Sequence, residues 1–403
     1  VVVPLMLAEF ALGRLGRADA AASIEAVARA AGASRRWAWA GSLGVLTGFL
    51  ILSFYSVIGG WTIGYAAQTL ADGLPGTDPQ AVRERFERFL ASPWQLAGWH
   101  ALFMGSAALI VARGVARGIE TASKVLMPLL LVLMLLLAGY AIVEGDLQAA
   151  LAFMFRIDTR FLTAATALDA LGLGFFSIGV GLGLMITYAA YGGEQISLRQ
   201  VAFASVIADT LISFLAGFAV FPIVFAHGLD PASGPGLVFV TLPLAFARMP
   251  FGAVAAEAFF LLLFVAALAS AISLLELVVA WLARRTGWSR GRAALLAAGA
   301  CYVAGIATVL SFNAWSGWHP LHAVPGFENA SFFDLLDWTP SNLMLPVGGL
   351  AIVLFAGWAV PQDRFAQALG LGAAGAAALR FSLRWVAPLG IAAATLGPLL
   401  AGR

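Results

Sequence analysis

Asp209 lies in the apolar run VAFASVIADTLISFLAG, with no basic residue within a helical turn or two. An unpaired carboxylate at mid-bilayer costs several kcal/mol, so an acid at this depth reads first as a functional group and only then as one paired with another buried side chain. A second concentration of chemistry precedes it. Residues Ala170 to Tyr191 read ALGLGFFSIGVGLGLMITYAAY, with the hydroxyl of Ser177 beside Gly179, Gly181 and Gly183. Glycine costs about 1 kcal/mol relative to alanine inside a helix, so three at alternate positions mark a place where the helix opens. In a membrane, opened backbone is tolerated only where it lines a cavity or a site, and the half-helix ends there point N–H and C=O groups at ligands. The plainer reading is close helix packing, because Gly179 and Gly183 form a GxxxG pair. The chemistry indicated is ligand and ion binding rather than bond cleavage. Ser177 and Asp209 would need a histidine or lysine between them to act as a hydrolase. His100, His227, His319 and His322 all fall at or outside span ends, and neither HExxH nor CxxC occurs.

Other polar groups stand in apolar surroundings. Tyr55 lies about 17 residues from either end of its run, too deep for a headgroup tyrosine of an aromatic belt. Glu9 and Glu276 read as buried hydrogen-bonding groups that tie helices together. The small residues Ala266, Ala269 and Ser270 suit tight helix packing, and Asp337 suits a solvated loop end.

These residues need a membrane to make sense of their setting. The chain has 403 residues, of which 61% are hydrophobic and 11% charged, and its mean hydropathy is +0.92. Such a composition excludes a soluble or disordered chain. The apolar runs are continuous rather than alternating, which predicts an all-α polytopic membrane protein and not a β-barrel. A net charge of +2 gives no sign of a nucleic-acid partner, and the lone Cys301 excludes an intrachain disulfide. No organic cofactor is expected. About ten spans are expected in one transmembrane domain over 1–403, near 1–12, 38–71, 98–112, 125–143, 165–191, 200–226, 251–283, 293–311, 335–360 and 385–401. Alternate loops, beginning with the one after the first run, hold 16 of the Lys and Arg residues against 6 in the others, which places the first set in the cytoplasm. The first run is too short to cross and reads as the second half of a span. An upstream helix with a cytoplasmic N-terminus would complete it. The stretch AVRERFERFL predicts a surface helix in the first external loop, and the Pro- and Gly-rich segment 226–250 predicts a lid.

Five separated stretches resemble one family, the bacterial neurotransmitter:sodium symporters with the LeuT fold. The opening Pro4-Leu5-Met6-Leu7-Ala8-Glu9-Phe10-Ala11-Leu12-Gly13-Arg14 is similar to its PLMxxExxxGR segment, and YSVIGGWTIGY from Tyr55 to its third helix. Ala170 to Tyr191 resembles the broken sixth helix, while Ala266 to Glu276 resembles the eighth and Asp334 to Trp338 the start of the tenth. The resemblance implies an inverted repeat lacking the family's first helix, in a multi-pass protein of the inner (plasma) membrane that moves an amino acid with sodium ions. It implies a substrate site of Ile51, Tyr55, Phe176, Ser177, Gly179, Leu182, Ser270 and Leu274, with Tyr55 holding the substrate carboxylate and Phe176 as a lid. It implies a first sodium site at Ser177 and Asp209, where the family archetype has asparagine, and a second at Ala266 and Ser270, weakened because Ala269 replaces a threonine. Asp337 corresponds to the acid of the outer gate, beside Tyr55 and Phe176. Leu173 replaces the chloride-site glutamine, so chloride dependence is not expected. Gly179 and Leu182, where the archetype has serine and phenylalanine, imply a roomy pocket for a hydrophobic amino acid. The other expectation is a transport-incompetent fragment of such a symporter; an intramembrane enzyme has the least support.

Overall fold

The computed structural model describes residues 1–231 and 234–400, without the side chains of 161, 164, 165, 168, 169 and 397–400. The far end of the expected last span, residue 401, lies outside them. The described residues form helices joined by turns and loops. It begins with α1 (Val2–Gly16), α2 (Ala20–Ala30), α3 (Ala38–Asp72), α4 (Pro79–Leu90), α5 (Pro93–Ala112), α6 (Thr121–Glu144) and α7 (Leu147–Phe155). The middle comprises α8 (Ala164–Ile178), α9 (Leu184–Tyr191), α10 (Leu198–Ala226), α11 (Leu242–Ala247) and α12 (Gly252–Thr286). The remainder is α13 (Arg290–Ser311), α14 (Phe332–Trp338), α15 (Leu345–Leu354), α16 (Gln362–Leu369), α17 (Ala373–Phe381) and α18 (Ala387–Leu400).

Seven helical stretches among the described residues are long and apolar enough to cross a bilayer: 35–72, 93–112, 115–144, 198–226, 252–286, 290–311 and 332–359. The run expected over 165–191 is two helices, α8 and α9, separated at residues 179–183. α1, with 15 residues, is about 22 Å long, against roughly 30 Å of hydrocarbon. Every residue of α1 from Leu5 to Gly13 is buried, and a helix buried on all its faces belongs in the middle of a bundle. It packs on α9, while α3 and α12 run along each other as the central pair, flanked by α5, α6 and α13. The close approach of α3 to the break requires Gly44, because a Cβ there would overlap the Leu182 carbonyl oxygen.

The segments expected outside are packed rather than draped. In α4, Asp78 caps the N-terminus by accepting a hydrogen bond from the Gln80 N–H at 3.0 Å, and Pro79 supplies the first helical φ. Val82 and Phe89 of this helix are buried, so the expected surface helix has one face in the protein. Trp61 of α3 is fully buried and meets Phe86, Phe89, Phe239 and Phe312 edge-on at ring centroids 5.0–6.5 Å apart. Phe239 comes from the 226–250 segment. That segment contains a π-helical turn, Leu237–Thr241, and then α11, with Leu242, Leu244, Ala245 and Phe246 buried. Replacing Asp78 by alanine is expected to cost about 1 kcal/mol by leaving the first N–H groups of α4 uncapped. Thermal unfolding of the purified protein in detergent checks this, and an unchanged transition would show that the cap contributes nothing.

Candidate functional site

The site is built around the break between α8 and α9. Gly179, Gly181 and Gly183 all have positive φ, at 70°, 91° and 73°, a region that L side chains rarely occupy. The Gly179 N–H turns back to the carbonyls of Phe175 and Phe176 at 3.1 Å each, which closes α8. Two half-helices therefore meet end to end, the C-terminal, partially negative end of α8 facing the N-terminal, partially positive end of α9.

Each end meets a carboxylate from another helix. The Ser177 hydroxyl, in the last turn of α8, donates to Asp209 Oδ1 on α10 at 2.7 Å. Ser177 is exposed and Asp209 half-buried, so the pair lines an accessible surface. A carboxylate, a hydroxyl and the negative end of a helix dipole together form an oxygen-rich, electronegative place suited to a hard cation. Beyond the break, Glu9 of α1 accepts from the Gly181 N–H at 2.6 Å, and its carboxylate lies beside the backbone at the start of α9. Glu9 is wholly buried and neutralises the exposed N–H groups that the break leaves at the start of α9. The sequence predicted that Glu9 ties helices; it did not predict that the tie ends on the opened backbone. The available signal was a lone acid in an apolar run.

A second group lies between α3 and α12. The Tyr55 and Ser270 side chains lie near one another, with Ser270 exposed and Tyr55 half-buried. Ile51, one turn from Tyr55, is 5% exposed, and Leu274, one turn from Ser270, is 8% exposed. Leu182 in the break is buried at 3%, whereas Phe176 is 47% exposed. Gly179, Ala266 and Ala269 are half-buried. Leu173 stands exposed on α8 and offers no polar atom. The contacts thus bring Ser177 to Asp209 and Tyr55 to Ser270. Asp337 stands half-buried near the end of α14, whose first turn packs on α3 through the Phe333 and Phe54 rings, 5.9 Å apart.

Below the break, α9 is bolted to α12. The Tyr188 hydroxyl donates to Ser273 Oγ at 3.0 Å and the Tyr191 hydroxyl to Glu276 Oε1 at 2.6 Å. Glu276 is wholly buried and is clasped by the guanidinium of Arg290, whose Nε also donates to the Val111 carbonyl at 3.0 Å. The sequence predicted the tying role of Glu276 but not its partners. At the end of α1, Arg14 donates to the Ala368 carbonyl at 3.0 Å and to that of Ile196. The half-helix α9 is therefore held firmly to α12 and joined to α8 only through five residues.

Comparisons with known proteins agree with one another. The sodium:neurotransmitter symporter family profile matches residues 81–329. The sodium-dependent transporter YhdH of Bacillus subtilis is 32% identical over 392 residues, covering 96% of this chain and 84% of the relative. A sodium-dependent transporter of Haemophilus influenzae is 29% identical over 371 residues, covering 90% and 79% respectively. Among solved structures, the crystal structure of MhsT in complex with L-phenylalanine superposes with a TM-score of 0.87. It is 38% identical, and the match covers 98% of this chain and 88% of MhsT.

Proposed function

The chain belongs to the sodium:neurotransmitter symporter family and has the LeuT fold, and from that premise we propose that it couples Na⁺ movement to uptake of a hydrophobic amino acid. It is a multi-pass membrane protein and a sodium-dependent transporter by family. The observation that carries the finer reading is the contact of Ser177 with Asp209 at the end of α8. A monovalent hard cation placed there meets a hydroxyl, a carboxylate and the helix end without any softer ligand. Ala266 and Ser270 on α12 form a second, oxygen-poor ion position. The substrate occupies the space at the break, with Gly179, Leu182, Ile51 and Leu274 around its side chain and Phe176 above it. The Tyr55 hydroxyl, poised against Ser270, turns to the substrate carboxylate, and Asp337 belongs to the outer gate with Tyr55 and Phe176. All of this forms one transmembrane transporter domain.

Support for a hydrophobic substrate comes from the apolar lining and from the L-phenylalanine held by MhsT. The glycine at 179 and the leucine at 182 leave room for a large side chain. Binding of labelled leucine, tryptophan, phenylalanine and alanine, measured with and without Na⁺, tests the proposal. Sodium-dependent binding of the larger residues is expected, with alanine a weak competitor. Tight alanine binding that tryptophan does not displace would overturn the substrate class, and binding indifferent to Na⁺ would overturn the coupling.

A further inference from the structure

We propose that a groove on the lipid-facing side of the bundle, between α3, α5, α6 and α12, binds an outer-leaflet aminophospholipid whose primary ammonium pairs with Glu257. The groove encloses about 610 Å³, and its walls include Ile63 and Leu70 of α3, Leu102 of α5, Leu133 of α6 and Phe264 of α12. Leu70 and Leu102 are 76% and 51% exposed, so the groove opens outward from the bundle. Nothing in it except Glu257 asks for a polar partner. The Thr62 hydroxyl already donates to the Gly59 carbonyl at 2.7 Å and the Ser106 hydroxyl to that of Leu102 at 2.8 Å. Glu257 Oε1, by contrast, is shut off from solvent and accepts no hydrogen bond. None of the described residues lining the groove is basic.

Depth decides which end of a lipid Glu257 would meet. The distribution of arginine and lysine puts the start of α12 outside. With 35 residues this helix is about 52 Å long, more than the roughly 40–45 Å of a whole bilayer, so its first turns stand among or beyond the headgroups. Glu257 lies about 7.5 Å along α12, at headgroup level, and the apolar walls formed by Leu133 and Phe264 continue toward the bilayer centre. An unpaired carboxylate at the mouth of an apolar groove is complementary to a cation carrying an acyl chain. A primary ammonium supplies N–H donors to this unpaired carboxylate, whereas a quaternary ammonium supplies none.

The test uses the full chain reconstituted with equal amounts of dioleoyl phosphatidylethanolamine, dioleoyl phosphatidylcholine and dioleoylglycerol, followed by native mass spectrometry of the released protein. Retention of phosphatidylethanolamine about tenfold over the other two is expected, the factor that one charge-assisted hydrogen bond supplies. Glu257→Gln should bring the three lipids to parity, and Ser106→Trp, which fills the groove and leaves the carboxylate, should lower retention of phosphatidylethanolamine. Equal retention of the choline lipid or the diglyceride by the unaltered protein would overturn the proposal. So would a preference for phosphatidylethanolamine that survives Glu257→Gln, or, should that variant not fold, one that survives Ser106→Trp.

Discussion

Substituting Asp209 with alanine is expected to raise the Na⁺ concentration that half-saturates substrate binding by about 100-fold, which is about 2.8 kcal/mol at 1.4 kcal/mol per decade. Two opposite unit charges about 4 Å apart attract by about 4 kcal/mol at an effective dielectric of 20, and the cost of stripping water from both offsets part of this. Alanine removes the charge, the oxygen ligand and the acceptor of the Ser177 hydroxyl together. Asparagine keeps the oxygen and the hydrogen bond and loses only the charge, so Asp209→Asn should shift the sodium requirement by about tenfold. Ser177→Ala, which leaves the carboxylate in place, belongs at or below the asparagine value. Sodium titrations of labelled phenylalanine binding to the three variants give the order directly. An Asp209→Ala protein that binds substrate at unchanged sodium concentration would remove the carboxylate from the ion site.

The parts of this site that were legible from the sequence are those whose signal is local. Three glycines at alternate positions leave few helical options, and the structure opens the helix at those residues, Gly179 to Gly183. Asp209 announced itself by the cost of its charge in an apolar run, and its neighbour Ser177 by lying beside the break. The contact between them spans 32 positions, and no periodicity encodes which turn of α10 faces the end of α8. Glu9 shows the limit more sharply. Its partner is a backbone N–H, a group present at nearly every residue and exposed at Gly181 only because the chain there is no longer helical. The 226–250 segment was legible only in part for a related reason. Its prolines and glycines read as a lid, and the packing of Phe239, Leu242 and Phe246 against α3, α4 and α12 is a tertiary choice that composition cannot show. Arg290 falls among the charges whose distribution predicts the cytoplasmic side, and it is the first residue of α13. Its side chain nevertheless reaches back to an acid 14 residues earlier.

That reach makes Arg290 the other sensitive position. Arg290→Ala is expected to lower stability by about 3–5 kcal/mol, because it leaves Glu276 as an uncompensated charge in the interior. Glu276 is 0% exposed, and with the guanidinium gone its remaining donor is the Tyr191 hydroxyl at 2.6 Å, too little for a carboxylate. The same change frees the Val111 carbonyl from Arg290 Nε, so α5, α12 and α13 lose a common tie. Replacing both charges should do less harm than replacing one. In Arg290→Leu combined with Glu276→Leu no ion remains buried, and apolar side chains of similar volume take up the space, so most of the lost stability should return. Denaturant or thermal unfolding of Arg290→Leu, Glu276→Leu and the double variant, read as a double-mutant cycle, separates the ion pair from its packing. If Arg290→Ala cost less than about 1 kcal/mol, the range of an exposed pair, Glu276 would not be a buried charge and the firm hold on α9 would have to come from Tyr188 and Ser273 instead.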